Sequence, residues 1–194
     1  MMTWRTARLP RWQRGATLIE VLVALLVLAI GLLGTAALQT RAQTAEVEAY
    51  QRSQALLLAQ DMVSRLNTNR RTAPCYDTFA SGGTNFVGED GDVHSCQGFG
   101  TSSTRARADA DLAEWHSFLV GEAERRGDEV VGAMAGARGC IEFDGAAEVY
   151  TVTVAWQGHA STEAPEGNDC AAGEYGDEEQ RRIVEMRLRM GDLG

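Results

Sequence analysis

Apolar positions fall along this chain in three rhythms, and each predicts a different element. The first is an unbroken run. From Val21 to Leu38, eighteen residues carry no charge, and Thr35 supplies the one polar side chain. A run of that length predicts a helix able to cross a bilayer. Past Leu38 the spacing becomes that of a helix with one wet side. Ala42, Ala45, Ala49, Leu56, Ala59, Val63 and Leu66 step by threes, fours and one seven, and Leu57, Leu58 and Met62 widen the stripe. No proline intervenes before Pro74, so a single helix is expected from about Ala16 to about Asn69. At 1.5 Å per residue it would be roughly 80 Å long, far more than a bilayer needs.

The third rhythm is alternation, near the C-terminus. In "EVYTVTVAW" (Glu148–Trp156), Tyr150, Val152, Val154 and Trp156 fall on one side and Val149, Thr151 and Thr153 on the other. In "RIVEMRLRM" (Arg182–Met190), Val184, Met186, Leu188 and Met190 face one way and Glu185, Arg187 and Arg189 the other. "CIEF" (Cys140–Phe143) reads as a shorter strand. One apolar face per strand predicts an antiparallel sheet covered on one side only, with the upper half of the long helix as the cover. Residues 72–108, rich in Gly, Ser, Thr and Asp, read as an irregular connection. A short helix is then expected with Asp111 as N-cap, Glu114 three residues on, and Leu112, Trp115 and Leu119 inward. A long polar loop, about Gly158 to Gln180, joins the last two strands.

Charge adds orientation. The 194 residues carry 18 basic and 27 acidic groups for a net charge of −9, and every basic residue is Arg. Arg5, Arg8, Arg11 and Arg14 precede the apolar run with no acid among them, so the remainder of the chain is more acidic still. A body of that sign is poorly matched to nucleic-acid phosphates, and no nucleic-acid partner is expected. The basic flank should stay in the cytoplasm, which puts the C-terminal body across the membrane. There Cys75, Cys96, Cys140 and Cys170 would meet oxidising conditions. Nearest-neighbour pairing, Cys75–Cys96 and Cys140–Cys170, is one of three possible connectivities. An ordinary secretory signal has a shorter apolar core and a small-residue cleavage site beyond it, and neither fits here.

The stretch "RGATLIEVLVALLVLAIGLLG" (Arg14–Gly34) carries the sharpest signal. A basic leader ends in Gly15, Ala16 comes next, and Glu20 is the fifth residue after the junction. This pattern resembles the type IV pilin family. The resemblance implies cleavage after Gly15 by a prepilin peptidase and N-methylation of Ala16, a position where Phe or Met is common in the family. It also implies that Glu20 pairs with the terminal amine of a neighbouring subunit during assembly. The bland alternative is a local pair between Glu20 and its own amine one turn away. A carboxylate at membrane depth costs about 2.5–3.5 kcal/mol on insertion scales, so a partner is required either way.

Within the family, "RSQALLLAQDMVSRLNTNR" (Arg52–Arg70), "DLAEW" (Asp111–Trp115) and "YTVTVAW" (Tyr150–Trp156) look like the PilV-type minor pilins. That likeness implies a structural subunit, not an enzyme, which helps to prime type IV pilus assembly and is incorporated near the pilus tip. Twitching motility and cell adhesion are the associated activities. The implied partners are the prepilin peptidase, other minor pilins, the major pilin, the inner membrane and the pilus assembly machinery. The implied location is the inner membrane, single-pass with a cytoplasmic N-terminus and a periplasmic head, and then the pilus. Minor pseudopilins of type II secretion share the same N-terminus and remain the alternative.

The expected fold is α+β, with a long N-terminal helix packed on a small antiparallel sheet. Its parts are a leader at 1–15, a transmembrane and assembly half of the helix at 16–38, an amphipathic half at 39–71 and a periplasmic head at 72–194. Other chemistry is thin. Cys75, His94 and Cys96 could contribute to a zinc site, but paired Cys-x-x-Cys spacing is missing. "EDGD" (Glu89–Asp92) lacks the spacing of an EF-hand and reads as a solvated turn. His116 reads as a surface or boundary residue, and His159 falls in a loop. A membrane-anchored periplasmic hydrolase would need a nucleophile elbow or an oriented acid, and the sequence offers neither. No cofactor and no metal are expected.

Overall fold

The computed structural model describes Gly15 and residues 17–122, 125–126, 129–130 and 134–190. Residues 1–14 of the expected leader, and Ala16, lie outside them. The fold is α+β: one long N-terminal helix, followed by a small antiparallel sheet. By its contacts the chain divides into two compact units, Met1–Thr44 and Ala45–Gly194.

Helix α1 runs Leu18–Thr68, 51 residues without a break. Its start is marked by Thr17, whose hydroxyl accepts from the Glu20 N–H at 3.4 Å while its carbonyl accepts from the Val21 N–H at 3.2 Å. A Thr placed this way satisfies donors that the first turn leaves orphaned. The helix ends at Asn69. The Asn69 amide turns inward and donates to the Thr104 carbonyl at 2.9 Å and to the Tyr76 hydroxyl at 3.1 Å. The chain then tightens into a 3₁₀ helix, Arg70–Tyr76, containing Pro74.

In the first unit every described residue from Thr17 to Gln43 is exposed. In the second, α1 buries Gln51, Ala55, Ala59, Met62 and Leu66, spaced 4, 4, 3 and 4. This corrects part of the expected stripe. Ala59, Met62 and Leu66 are in it, with Leu58 and Val63 packed at its margins, but Leu56 and Leu57 are 42% and 65% exposed. Three consecutive leucines cannot share one helix face, because successive side chains are about 100° apart. The small Ala55 and Ala59 define the face on which neighbours approach.

Helix α2 covers Ser102–Leu119. Its N-cap is Thr101, in a capping box with Thr104, and not Asp111. Asp111 instead sits mid-helix and buried, accepting from the Tyr76 hydroxyl at 2.7 Å, Arg65 Nη1 at 3.1 Å and Arg107 Nε at 3.2 Å. An acid three residues before Glu114 mimics a cap in sequence, whereas here buried donors hold it. Leu112, Trp115 and Leu119 do face the core. The Trp115 indole N–H donates to the Leu58 carbonyl at 3.0 Å and ties α2 to α1. Its ring also lies where a side chain on Gly139 would have to be. The region expected to be irregular therefore holds the 3₁₀ helix, a short strand and the first turns of α2.

Six strands are present among the described residues: β1 (Val87–Gly88), β2 (Arg125–Arg126), β3 (Glu129–Val130), β4 (Arg138–Asp144), β5 (Val149–Gln157) and β6 (Arg181–Arg189). Strands β2 and β3 pair with each other, and the main sheet has the order β1-β4-β5-β6, antiparallel throughout. Tyr150, Val152, Val154 and Trp156 of β5 join Val184 of β6 and the helices in the principal core. Met186, Leu188 and Met190 are partly buried against it. The reverse face departs from the one-sided expectation. Residues 158–180 fold back over it, so that Thr153 and Ala155 are buried beneath Cys170, Ala171 and Tyr175. Alternation along β5 could not announce this cover, because it comes from a polar loop.

Candidate processing and assembly site

Gly15 and Glu20 stand at opposite sides of the helix start. Gly15 is exposed, and nothing lies within 4 Å of the place where a Cβ would be. A backbone so bare lets a hydrolytic site close on the peptide bond at its C-terminal side. Glu20 is the acid of the first turn of α1, in the N3 position after the Thr17 cap. A carboxylate there faces the positive end of the helix dipole and the turn's unpaired N–H groups. The same turn is exposed on all sides, so an incoming amine has access to the carboxylate. Ala16, the residue between this turn and Gly15, is outside the described residues. From Leu18 onward α1 is long and apolar enough to cross a membrane.

Two family models match the chain. Residues 13–36 match the prokaryotic N-terminal methylation motif, and residues 37–113 match the Tt1218-like family, described as type IV pilin Tt1218. The chain is of the type IV pilin family. The methylation motif spans Gly15, Ala16 and Glu20 together, and the second match covers the rest of α1 and most of α2. No curated protein and no solved structure matches. The pilin family is structural, and its motif implies processing by a prepilin peptidase.

The pilin's head carries two disulfides. Cys75 pairs with Cys96, their Cα atoms 5.4 Å apart, and Cys140 with Cys170 at 5.7 Å. The first closes the segment after α1 against the approach to α2. The second clamps the covering loop to β4. Zinc at Cys75, His94 and Cys96 is not compatible with that bond, since both sulfurs are bonded to each other, and the His94 ring nitrogen contacts the Cys75 carbonyl. Glu89–Asp92 forms a turn whose Asp90 reaches Arg138 at 3.3 Å. His116 accepts from the Gly88 N–H at 3.1 Å and joins α2 to β1. His159 is exposed in its loop.

Two charged clusters in the head escaped the sequence reading. Around Asp111, Arg65 also meets Asp61 at 2.6 Å and Glu114 at 2.7 Å. Burial opposes the Arg65 charge, but those hydrogen bonds hold the guanidinium above its ordinary range. Tyr76 is pushed above the usual phenol range by burial and by donating to Asp111. The second cluster centres on Arg138, buried between the rings of Phe86 and Tyr175 at 5.3 and 5.0 Å. Nearby, Arg181 donates to the carbonyls of Asn168 and Cys170 at 2.9 and 3.1 Å. Glu178 loses some hydration, yet the Gly173 N–H and Arg181 hold its carboxyl below the ordinary value. Two spacings could have signalled part of the first cluster: Asp61 and Arg65 on α1, and Arg107 and Asp111 on α2, each pair four apart on a helix. These clusters pin loops and helices to the sheet.

Proposed function

We propose that this pilin is a minor subunit of a type IV pilus, of the PilV type, which helps to prime assembly and is built in near the tip. The supporting observation is the placement of Glu20 in the capped first turn of an apolar helix, five residues beyond a bare Gly15. In this reading the peptidase cuts after Gly15 at the cytoplasmic membrane face, discarding 1–15, and Ala16 is methylated. Residues 16–38 hold the subunit in the inner membrane, 39–71 carry the helix outward, and 72–194 form a periplasmic head stapled by its disulfides. Glu20 then meets the amine of a neighbouring minor or major pilin. In lipid an unpartnered carboxylate is costly, so the contact fixes an axial stagger that apolar helices alone would leave free to slide.

Deleting the chain's gene tests the assignment against a pseudopilus role. The minor-pilin reading expects surface pili to fall in number while protein secretion through the outer membrane continues, with complementation by the wild-type chain. Normal piliation with lost secretion assigns the chain to a type II secretion pseudopilus instead.

A further inference from the structure

The reverse face of the main sheet is covered over part of its length only. Cross-strand register sets three successive rows on that face: Cys140–Thr153–Glu185, Glu142–Thr151–Arg187 and Asp144–Val149–Arg189. The loop 158–180 lies on the first. There the Asn168 amide donates to the Thr153 hydroxyl at 3.0 Å and to the Glu185 carboxylate, and Cys170 is bonded to Cys140. The other two rows lie open. Glu142, Asp144, Arg187 and Arg189 are exposed, while Thr151 and Val149 between them are half-buried. These six side chains line a trough of about 700 Å³.

The trough has unlike walls. Strand β4 supplies two carboxylates, β6 two guanidinium groups, and β5 a floor of one short polar and one apolar side chain. Neighbouring strands are about 4.8 Å apart, so the walls stand about 9–10 Å apart across β5. Among the described residues neither wall forms an ion pair, with the other or elsewhere. Asp144 accepts from the Ala146 and Ala147 N–H groups at 2.9 and 3.1 Å, and Arg189 donates to the Ala147 carbonyl at 3.2 Å. Those bonds close one end of the trough at the β4–β5 turn; the covering loop closes the other. Along each wall a charge recurs at every second residue, about 6.8 Å apart, which is also the spacing of side chains along one edge of an extended peptide.

We propose that this trough binds an extended segment of another protein in which basic and acidic residues alternate. Lying along β5 above Thr151 and Val149, such a segment turns its basic side chains to Glu142 and Asp144 and its acidic ones to Arg187 and Arg189. A wholly basic or wholly acidic partner meets one wall of its own sign. The inference goes beyond the assembly role and does not depend on it. A second copy packed face to face does not fit. A two-fold axis along β5 opposes acids to arginines, but it stacks the two covering loops on each other and holds the troughs apart. A two-fold axis across the strands clears the loops, but it sets acids on acids and arginines on arginines.

Two peptides of one composition test this on the full chain in detergent at low ionic strength, with backbone amide chemical shifts as the readout. Acetyl-Arg-Asp-Arg-Asp-amide matches all four wall charges, whereas acetyl-Asp-Arg-Arg-Asp-amide matches two and opposes two. The first should bind about tenfold tighter, with its shifts concentrated at Val149, Thr151 and Arg187. Glu142→Arg combined with Arg187→Glu exchanges the charges of one row and keeps the net charge. Both residues are exposed, so the fold should hold. In that double variant the preference should invert, the second peptide binding about tenfold tighter. Equal binding of the two peptides, shifts away from the trough, or an unchanged preference in the double variant overturns the proposal. Shifts at the trough that grow with protein concentration alone assign the face to a second copy and overturn it as well. None of these results bears on leader removal or on Glu20, so the pilin reading stands or falls separately.

Discussion

Residues 18–44 and 45–68 belong to one helix, yet apolar side chains mean different things in them. The first stretch is apolar from Leu18 to Leu38 but for Glu20 and Thr35, turns polar over its last six residues, and buries none of its side chains. The second has fewer apolar residues and buries a single stripe from Gln51 to Leu66. Abundance of apolar residues marks what will surround the helix, lipid or neighbouring helices, and leaves the face unspecified. Spacing marks the fold, because a one-sided stripe has one side to bury. Function should therefore be concentrated in the first stretch and stability in the second, and the two can be broken independently.

The largest effect is expected at Glu20. Glu20→Ala should leave cleavage after Gly15 and head stability intact, and ease insertion by removing a charge from the bilayer. The fraction of cleaved variant in co-purified minor-pilin complexes, and the number of surface filaments, should both collapse. Normal values for both would reduce Glu20 to a local partner of its own amine.

Trp115→Ala should do the reverse. It removes a fully buried indole packed on Gly139 and strips the Leu58 carbonyl of a donor. A loss of about 3–5 kcal/mol in denaturant unfolding of the head is expected, with leader cleavage unchanged. A loss below about 1 kcal/mol would mean that the helix–sheet core is not organised around this ring. Replacing Cys140 and Cys170 together by Ser opens a loop of sequence separation 30. The chain-entropy model puts that cost at about 3–4 kcal/mol, and non-reducing peptide mapping of the wild type should recover Cys75–Cys96 and Cys140–Cys170 as its two cross-links.

A smaller effect should come from alkali. Burial pushes Tyr150 and Tyr175 up to about 12, with the Asp77 charge adding to the effect at Tyr150. Their folded pKa values exceed the unfolded ones, so the stabilising contribution is complete below about pH 10 and is lost as pH rises toward the folded values. Each tyrosine adds a slope of at most about 1.4 kcal/mol per pH unit in that window. Head stability that stays flat from pH 10 to 12 would contradict their burial. At the bottom of the scale, Leu57→Ser should shift head stability by less than about 0.5 kcal/mol, since Leu57 is 65% exposed. A larger loss would place Leu57 inside the stripe.

Much of this was legible in the residues because the signals were long. Eighteen uncharged residues and two runs of strict alternation specify a spanning helix and half-buried strands whatever their neighbours do, and the Gly15 to Glu20 spacing carries the family. What stayed hidden depended on contacts between distant segments. Asp111 resembled a helix cap because its partners, Arg65 and Tyr76, lie 46 and 35 residues away. The second apolar cluster was invisible because its cover, residues 158–180, is polar in composition and becomes a lid only once Cys170 and Arg181 hold it on the sheet. Leu56 and Leu57 misled because propensity cannot choose among three adjacent leucines.

The central claim is that the chain acts after losing its first fifteen residues, with Glu20 left close behind a new amino terminus. The most direct test is the intact mass of the protein extracted from the membranes of its own cells, with fragmentation to read the terminal residue. The account predicts a chain beginning at Ala16, carrying one added methyl group on its amine and lacking four hydrogens for its two disulfides. A chain that keeps Arg5 to Arg14, or one cut beyond Leu38, would contradict it.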